Sequence, residues 1–203
     1  AAGNSVADIQ KLAAYAHFYK ARVYVALNTI LLDHELEPAR QLIHQLWDAG
    51  VDALIVQDMG LLELDLPPIP LFASTQMDNR SPARVKFLEK SGFERVILAR
   101  ELSLQEIREI RKHTVVDLEV FVHGALCVGY SGRCYFSAAI GGRSANRGEC
   151  GQPCRLAWTL SNGEGKILAQ DRYLLSLKDM NRSDHLELLA EAGVTSFKIE
   201  GRL

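Results

Sequence analysis

The chain predicts an α/β fold of the (β/α)8 barrel type, with about six of the eight strands present. Three observations carry that reading: a helix–glycine–strand unit that recurs three times, strands that are mostly continuous apolar runs, and polar residues at strand end after strand end. The units are centred on Gly50, Gly92 and Gly193, each followed by an apolar residue, Val51, Phe93 or Val194. Glycine ends a helix because it enters the left-handed conformation without a Cβ clash, and the apolar residue after it packs back on the last turn. Helix starts are legible too. Ser5 with Asp8 and Ser103 with Glu106 have capping-box spacing, and Ser81 precedes a first-turn proline, Pro82.

Strands are expected at 23–27, 53–56, 71–74, 96–98, 118–122 and 197–199. Apolar runs of this kind suit parallel strands covered on both faces, and their alternation with helices implies right-handed crossovers. A doubly wound open sheet is the competing architecture, but no glycine-rich nucleotide turn follows an early strand. A closed barrel needs eight strands. The chain opens in a helix and stops just after a strand, so the expectation is one partial barrel domain over residues 1–203, lacking the first two strands. Active residues of a barrel sit at the C-terminal strand ends. Here those ends carry Asn28, Gln57 and Asp58, Ser74 and Gln76, Arg100 and Glu101, His123, and Glu200 with Arg202.

Composition narrows the class. With 48% hydrophobic and 24% charged residues in 203, the chain can bury one sizeable core. No apolar run approaches the ~20 residues that span a bilayer, and the first residues lack a signal-peptide pattern, so a cytoplasmic, non-membrane protein is expected. The net charge of −2 is not that of a generally nucleic-acid-binding chain. Locally the balance differs: Arg133, Arg143, Arg147 and Arg155 lie between Cys127 and Trp158 against the single acid Glu149. These arginines either bind an anion or pair with acids and loop carbonyls.

All four cysteines fall in the order Cys127-x6-Cys134-x15-Cys150-x3-Cys154, directly after the strand ending at His123. Seven of the 15 glycines share residues 124–158, giving the tight turns that a chain wrapped around a compact centre needs. This segment is read as a metal- or cluster-binding insertion before the last strand. In a reducing compartment such clustering favours metal or redox chemistry over disulfides. The spacing is neither that of a paired zinc ribbon nor that of a bacterial ferredoxin, so zinc and an iron–sulfur cluster both remain open. Other templates fail. His34-Glu35 opens like a zinc-protease helix, but Pro38 stands where the second histidine belongs. Gly129-Tyr130-Ser131-Gly132 is one residue short of a nucleophile elbow.

The stretch from Glu119 to Cys127, then Tyr130-Ser131-Gly132-Arg133-Cys134-Tyr135-Phe136-Ser137, Asn146-Arg147-Gly148-Glu149-Cys150-Gly151-Gln152-Pro153-Cys154-Arg155 and Lys198-Ile199-Glu200-Gly201-Arg202, resembles the signature of the U32 collagenase-like peptidase family. Within it, the strands at 23–28 and 53–58 and the loop at 144–155 are similar to the 23S rRNA 5-hydroxycytidine synthase group. The resemblance implies oxygen-independent hydroxylation of an RNA pyrimidine, with prephenate as co-substrate, RNA as partner, and an accessory protein in some branches. The same resemblance also implies two other activities, a metal-dependent peptidase and a hydroxylase of a small aromatic quinone precursor. It implies further that Cys127, Cys134, Cys150 and Cys154 hold one [4Fe–4S] cluster, with zinc or no metal in aerobic material. His123, Glu200, Asp58 and Gln76 are the expected catalytic residues. Asn28, Arg133, Arg147 and Lys198 are the expected substrate contacts.

Overall fold

The structure, a computed structural model, describes residues 4–200; Arg202 lies outside them. The elements are α1 (Val6–Phe18), β1 (Tyr24–Leu27), α2 (Asp33–Asp48), β2 (Ala53–Val56), β3 (Leu71–Ala73), α3 (Pro82–Lys90), β4 (Arg95–Ile97), α4 (Leu104–Lys112) and β5 (Asp117–Gly124), followed by α5 (Phe136–Gly141), β6 (Trp158–Ser161), β7 (Ile167–Arg172), β8 (Met180–Asn181), α6 (Leu186–Glu191) and β9 (Ser196–Glu200). The expected caps form. The Ser5, Ser81 and Ser103 hydroxyls accept from the amides of Asp8, Arg84 and Glu106. Gly50, Gly92 and Gly193 all take positive φ at helix ends, as their position after an apolar helical face requires.

Strands β1, β2, β3, β4, β5 and β9 are parallel neighbours in that order. All six expected strands are therefore present. Strand β8 adds a short antiparallel partner at His123 and Gly124, and β6 with β7 forms a separate hairpin. The sequence reading missed both, although Asn162-Gly163 is a hairpin signal.

Every crossover helix packs on one face of the sheet. Ile43 and Leu46 of α2, Val85 and Leu88 of α3, Ile107 and Ile110 of α4, and Leu189 of α6 share one buried cluster with Leu54, Val56, Val96, Leu118, Val120 and Val122. Each fully buried leucine or isoleucine there contributes about 1.5–3 kcal/mol relative to exposure. The opposite face carries a smaller cluster with no helical member: Ala53, Ile55, Phe72, Ile97, Phe121 and Met180. Helices on one face only exclude the doubly wound alternative, which covers both. The described residues form an open sheet with β1 and β9 at its edges and not a closed barrel, with the six parallel strands expected of a partial one. Among the described residues, no helix is long and apolar enough to cross a membrane.

Candidate metal centre

The helix-free face of the sheet is charged as well as apolar. Arg95 pairs with Glu119 at 3.3 Å and Asp117 at 3.4 Å, and its guanidinium lies 4.5 Å from the centre of the Phe72 ring. Lys198 reaches the same Glu119 at 3.7 Å. Its ammonium thus lies beside β5, between that carboxylate and the Phe121 ring, whose centre is 5.4 Å away.

At the C-terminal strand ends the other expected residues have definite partners. Asp58 accepts from the amides of Leu31 at 2.7 Å and Gly60 at 2.8 Å, so both its oxygens shape the loops after β1 and β2. Asn28 donates to the Ser74 hydroxyl at 3.5 Å. Glu200 pairs with Arg100, whose guanidinium lies 3.8 Å from the centre of the Phe121 ring. The exposed His123 has no side-chain hydrogen bond among the described residues. Backbone fit is tight at this end: a Cβ on Gly124 (φ +129°) would meet the Glu200 carbonyl oxygen at 2.1 Å.

The cysteine segment leaves β5 and folds back over these ends. It is held at four places. Gly132 lies so close to the Gln76 carbonyl that a Cβ would stand 1.9 Å from the oxygen. Ser131 donates from its amide and hydroxyl to Glu101, at 3.0 and 2.9 Å. Arg147 forks onto Glu35 at 2.9 and 2.8 Å and donates to the Ile30 carbonyl at 2.8 Å. Arg155 donates to the Leu126 and Leu177 carbonyls and the Ser176 hydroxyl. Two of the arginines flanking the cysteines are thus anchors. For Arg147, expected among the substrate contacts, this is a correction: a bidentate carboxylate already fills the fork that an incoming anion needs. Arg133 pairs with Asp78, which also holds Arg80, yet its side chain stays 63% exposed. Glu35, from the failed protease motif, has a structural duty: it also accepts from the Leu32 amide at the start of α2.

The Arg147 pair gives a pH prediction. Hydrogen bonds from Arg147 and then from the Leu32 amide hold the Glu35 carboxyl down from 4.5 to about 2. A depressed folded-state value means that the anchor is complete above about 4.5 and is lost as pH falls toward 2. Limited proteolysis of residues 143–156 should stay slow at pH 4.5 and accelerate several-fold toward pH 2. Arg147→Ala should show the fast rate already at neutral pH; an unchanged rate in that variant removes the anchoring role.

All four cysteines are free thiols, two exposed and two half-buried, and all four line one cavity of ≈ 290 Å³. Thr75 and Gln76, just past β3, and Leu126, just past β5, complete its wall, so the cysteines stand over the C-terminal strand ends. Burial pushes the Cys154 thiol up; the neighbouring Cys127, then Cys150 and Cys134, add to that and Arg155 opposes it. Among the described residues, no three His, Cys, Asp or Glu side chains close on a single point that could hold one metal ion.

Peptidase family U32 matches residues 1–203. The chain belongs to that family. It is 56% identical over 201 residues to the 23S rRNA 5-hydroxycytidine C2501 synthase of Escherichia coli K12, covering 99% of this chain and 31% of that protein. It is 32% identical over 208 residues to tRNA hydroxylation protein P1 of Bacillus subtilis 168, covering 98% of this chain and 49% of that protein. The chain therefore spans less than half of either relative. The solved structure of the U32 peptidase Mk0906 superposes with a TM-score of 0.55 at 15% identity, over 85% of this chain and 73% of that one. That likeness speaks for the U32 fold.

Sequence reasoning missed the clamp of Asp78, Arg80 and Glu101 that receives residues 130–133. The signal was present in the density of polar residues after β3, from Ser74 to Arg80. Tyr130 belongs to the clamp as well, with the Arg80 guanidinium 4.2 Å from its ring centre.

Proposed function

We propose that this chain is the cysteine-bearing part of an RNA base hydroxylase, converting a pyrimidine, cytidine of 23S rRNA, to its 5-hydroxy form without oxygen. The observation that carries the reading is a cavity at the strand ends that all four of Cys127, Cys134, Cys150 and Cys154 line. These four would hold a [4Fe–4S] cluster, which supplies redox chemistry or a Lewis-acidic iron when bound. The donor set fits such a group in its chemistry: four thiols, the ligand type of a [4Fe–4S] centre, line one cavity. Residues 124–158 form the cluster-binding segment of a single unit, and the one-sided sheet is an arc of a barrel wall. Prephenate is the proposed co-substrate and the cytoplasm the proposed compartment.

The chain's own residues organise the site. Glu101, Asp78 and Glu35 tie the segment down, and Asp58 and Ser74 shape the loops beside it. His123 and Gln76 are the proposed groups near the reacting atoms, Gln76 in the cavity wall itself. The family's peptidase name supplies the second reading. Against it, Pro38 stands where the second metal-binding histidine of a zinc-protease helix opening His34-Glu35 would belong.

Mass spectrometry of rRNA and tRNA from a deletion strain tests the proposal. Loss of one hydroxylated cytidine, restored by the gene, is expected. Intact RNA modification together with gelatin cleavage by the purified protein would hand the case to the peptidase. Intact RNA modification with a quinone defect would favour a small aromatic substrate.

A further inference from the structure

We propose that the groove at the ends of β2 and β3 binds a phosphate of the RNA strand, with Arg84 as its principal contact. The proposal rests on the hydroxylase reading and adds where its substrate lies. The groove has a volume of ≈ 760 Å³ and shares Gln76 and Gly132 with the cysteine cavity, so a strand lying in it passes directly beside the thiols.

Three guanidinium groups, of Arg80, Arg84 and Arg133, face two carboxylates, of Asp58 and Asp78. Asp58 is occupied by two backbone amides, and Asp78 is shared between Arg80 and Arg133. Arg84 is left as the surplus cation. Its Nε donates to the Met77 carbonyl at 3.1 Å, which fixes the guanidinium plane. Its two terminal nitrogens meet no acceptor among the described residues, and together they offer the two-donor edge that matches a phosphate. Arg133, largely exposed, can leave Asp78 for a second phosphate oxygen without stranding that carboxylate, since Arg80 remains on it against Tyr130. The floor is polar: Gln57 is only 8% exposed and its Oε1, without a donor among the described residues, suits a ribose hydroxyl beside the phosphate and not the phosphate itself.

The test is fluorescence anisotropy of a labelled single-stranded oligoribonucleotide across a range of salt concentrations. Arg84→Gln should weaken binding by about tenfold and flatten the plot of log affinity against log salt by about one phosphate contact. Arg133→Gln should act in the same direction. Arg108→Gln, the same charge change on the exposed part of α4, should leave binding as in the wild type. Arg84→Lys, which keeps the charge, should retain the slope and so separates a lost contact from a lost fold. Equal losses in Arg84→Gln and Arg108→Gln, or no RNA binding by the wild-type chain, overturn the proposal. A calorimetric titration with prephenate that depends on Arg84, while RNA binding does not, assigns the groove to a small carboxylate and also overturns it. A wild-type protein that restores RNA hydroxylation but binds RNA independently of Arg84 defeats the groove alone; a deletion strain with unchanged RNA defeats the hydroxylase reading.

Discussion

Replacing Cys154 by serine should abolish iron retention and RNA modification together, while the chain stays folded. Protein purified without oxygen is expected to be brown, with about four iron and four sulfide per chain. In Cys154→Ser that content should fall below about one iron per chain, because a serine hydroxyl ionises far less readily than a thiol and is a poor soft-metal ligand. The same loss is expected at Cys127, Cys134 and Cys150, since all four line one cavity. The sheet should stay folded, because none of the four belongs to the buried clusters on either face, although loss of the bound cluster removes its own share of stability. Iron analysis and ultraviolet–visible spectra read the first effect, and RNA mass spectrometry the second. Full iron content in any one variant would remove that cysteine from the ligand set. Stoichiometric zinc with no iron in anaerobic wild-type protein would replace the cluster by a single ion. Cys127 and Cys150 are exposed, so aerobic material will lose metal to thiol oxidation and does not decide the matter.

How far the sequence foretold these features depends on the range of the interactions involved. The capping serines and the three helix-ending glycines act within a turn of the chain, and all were legible. The six parallel strands were legible because burial from both sides writes a continuous apolar run, as in Ala53–Val56, where every residue is buried. The open sheet followed from the same count, since six strands fall short of the eight that close a barrel. The cysteine grouping was apparent from spacing, but its orientation was not. Arg147 reaches Glu35 across 112 residues and Ser131 reaches Glu101 across 30. An arginine beside a cysteine reads the same whether it holds a loop or a ligand. The direction of Lys198 likewise turned on Glu119, a charge on a different strand.

Gly132→Ala should lift the cysteine segment from the sheet and remove activity while leaving the fold intact. Gly132 sits at φ +74°, where an added side chain is strained regardless of space. Space is also absent: the new Cβ would lie 1.9 Å from the Gln76 carbonyl oxygen and 2.7 Å from its carbon. That carbonyl cannot retreat freely, because it accepts from the buried Gln57 side chain at 3.3 Å. The clash must therefore be relieved by movement of residues 131–134, which carries Ser131 off Glu101, Arg133 off Asp78 and Cys134 out of the shared cavity. Neither Gly132 nor Gln76 belongs to the helix-side core, so far-UV circular dichroism should match the wild type. Iron content and RNA modification should both drop by at least about tenfold, the cost of roughly 1.4 kcal/mol or more in holding the docked segment. Gly141→Ala provides the control: a Cβ there meets nothing within 4 Å and its φ is not positive, so it should retain both. If Gly132→Ala keeps its iron and its activity, the docking of this segment on Gln76 is not what holds the cysteines in place, and the anchors at Glu101 and Glu35 must suffice without it.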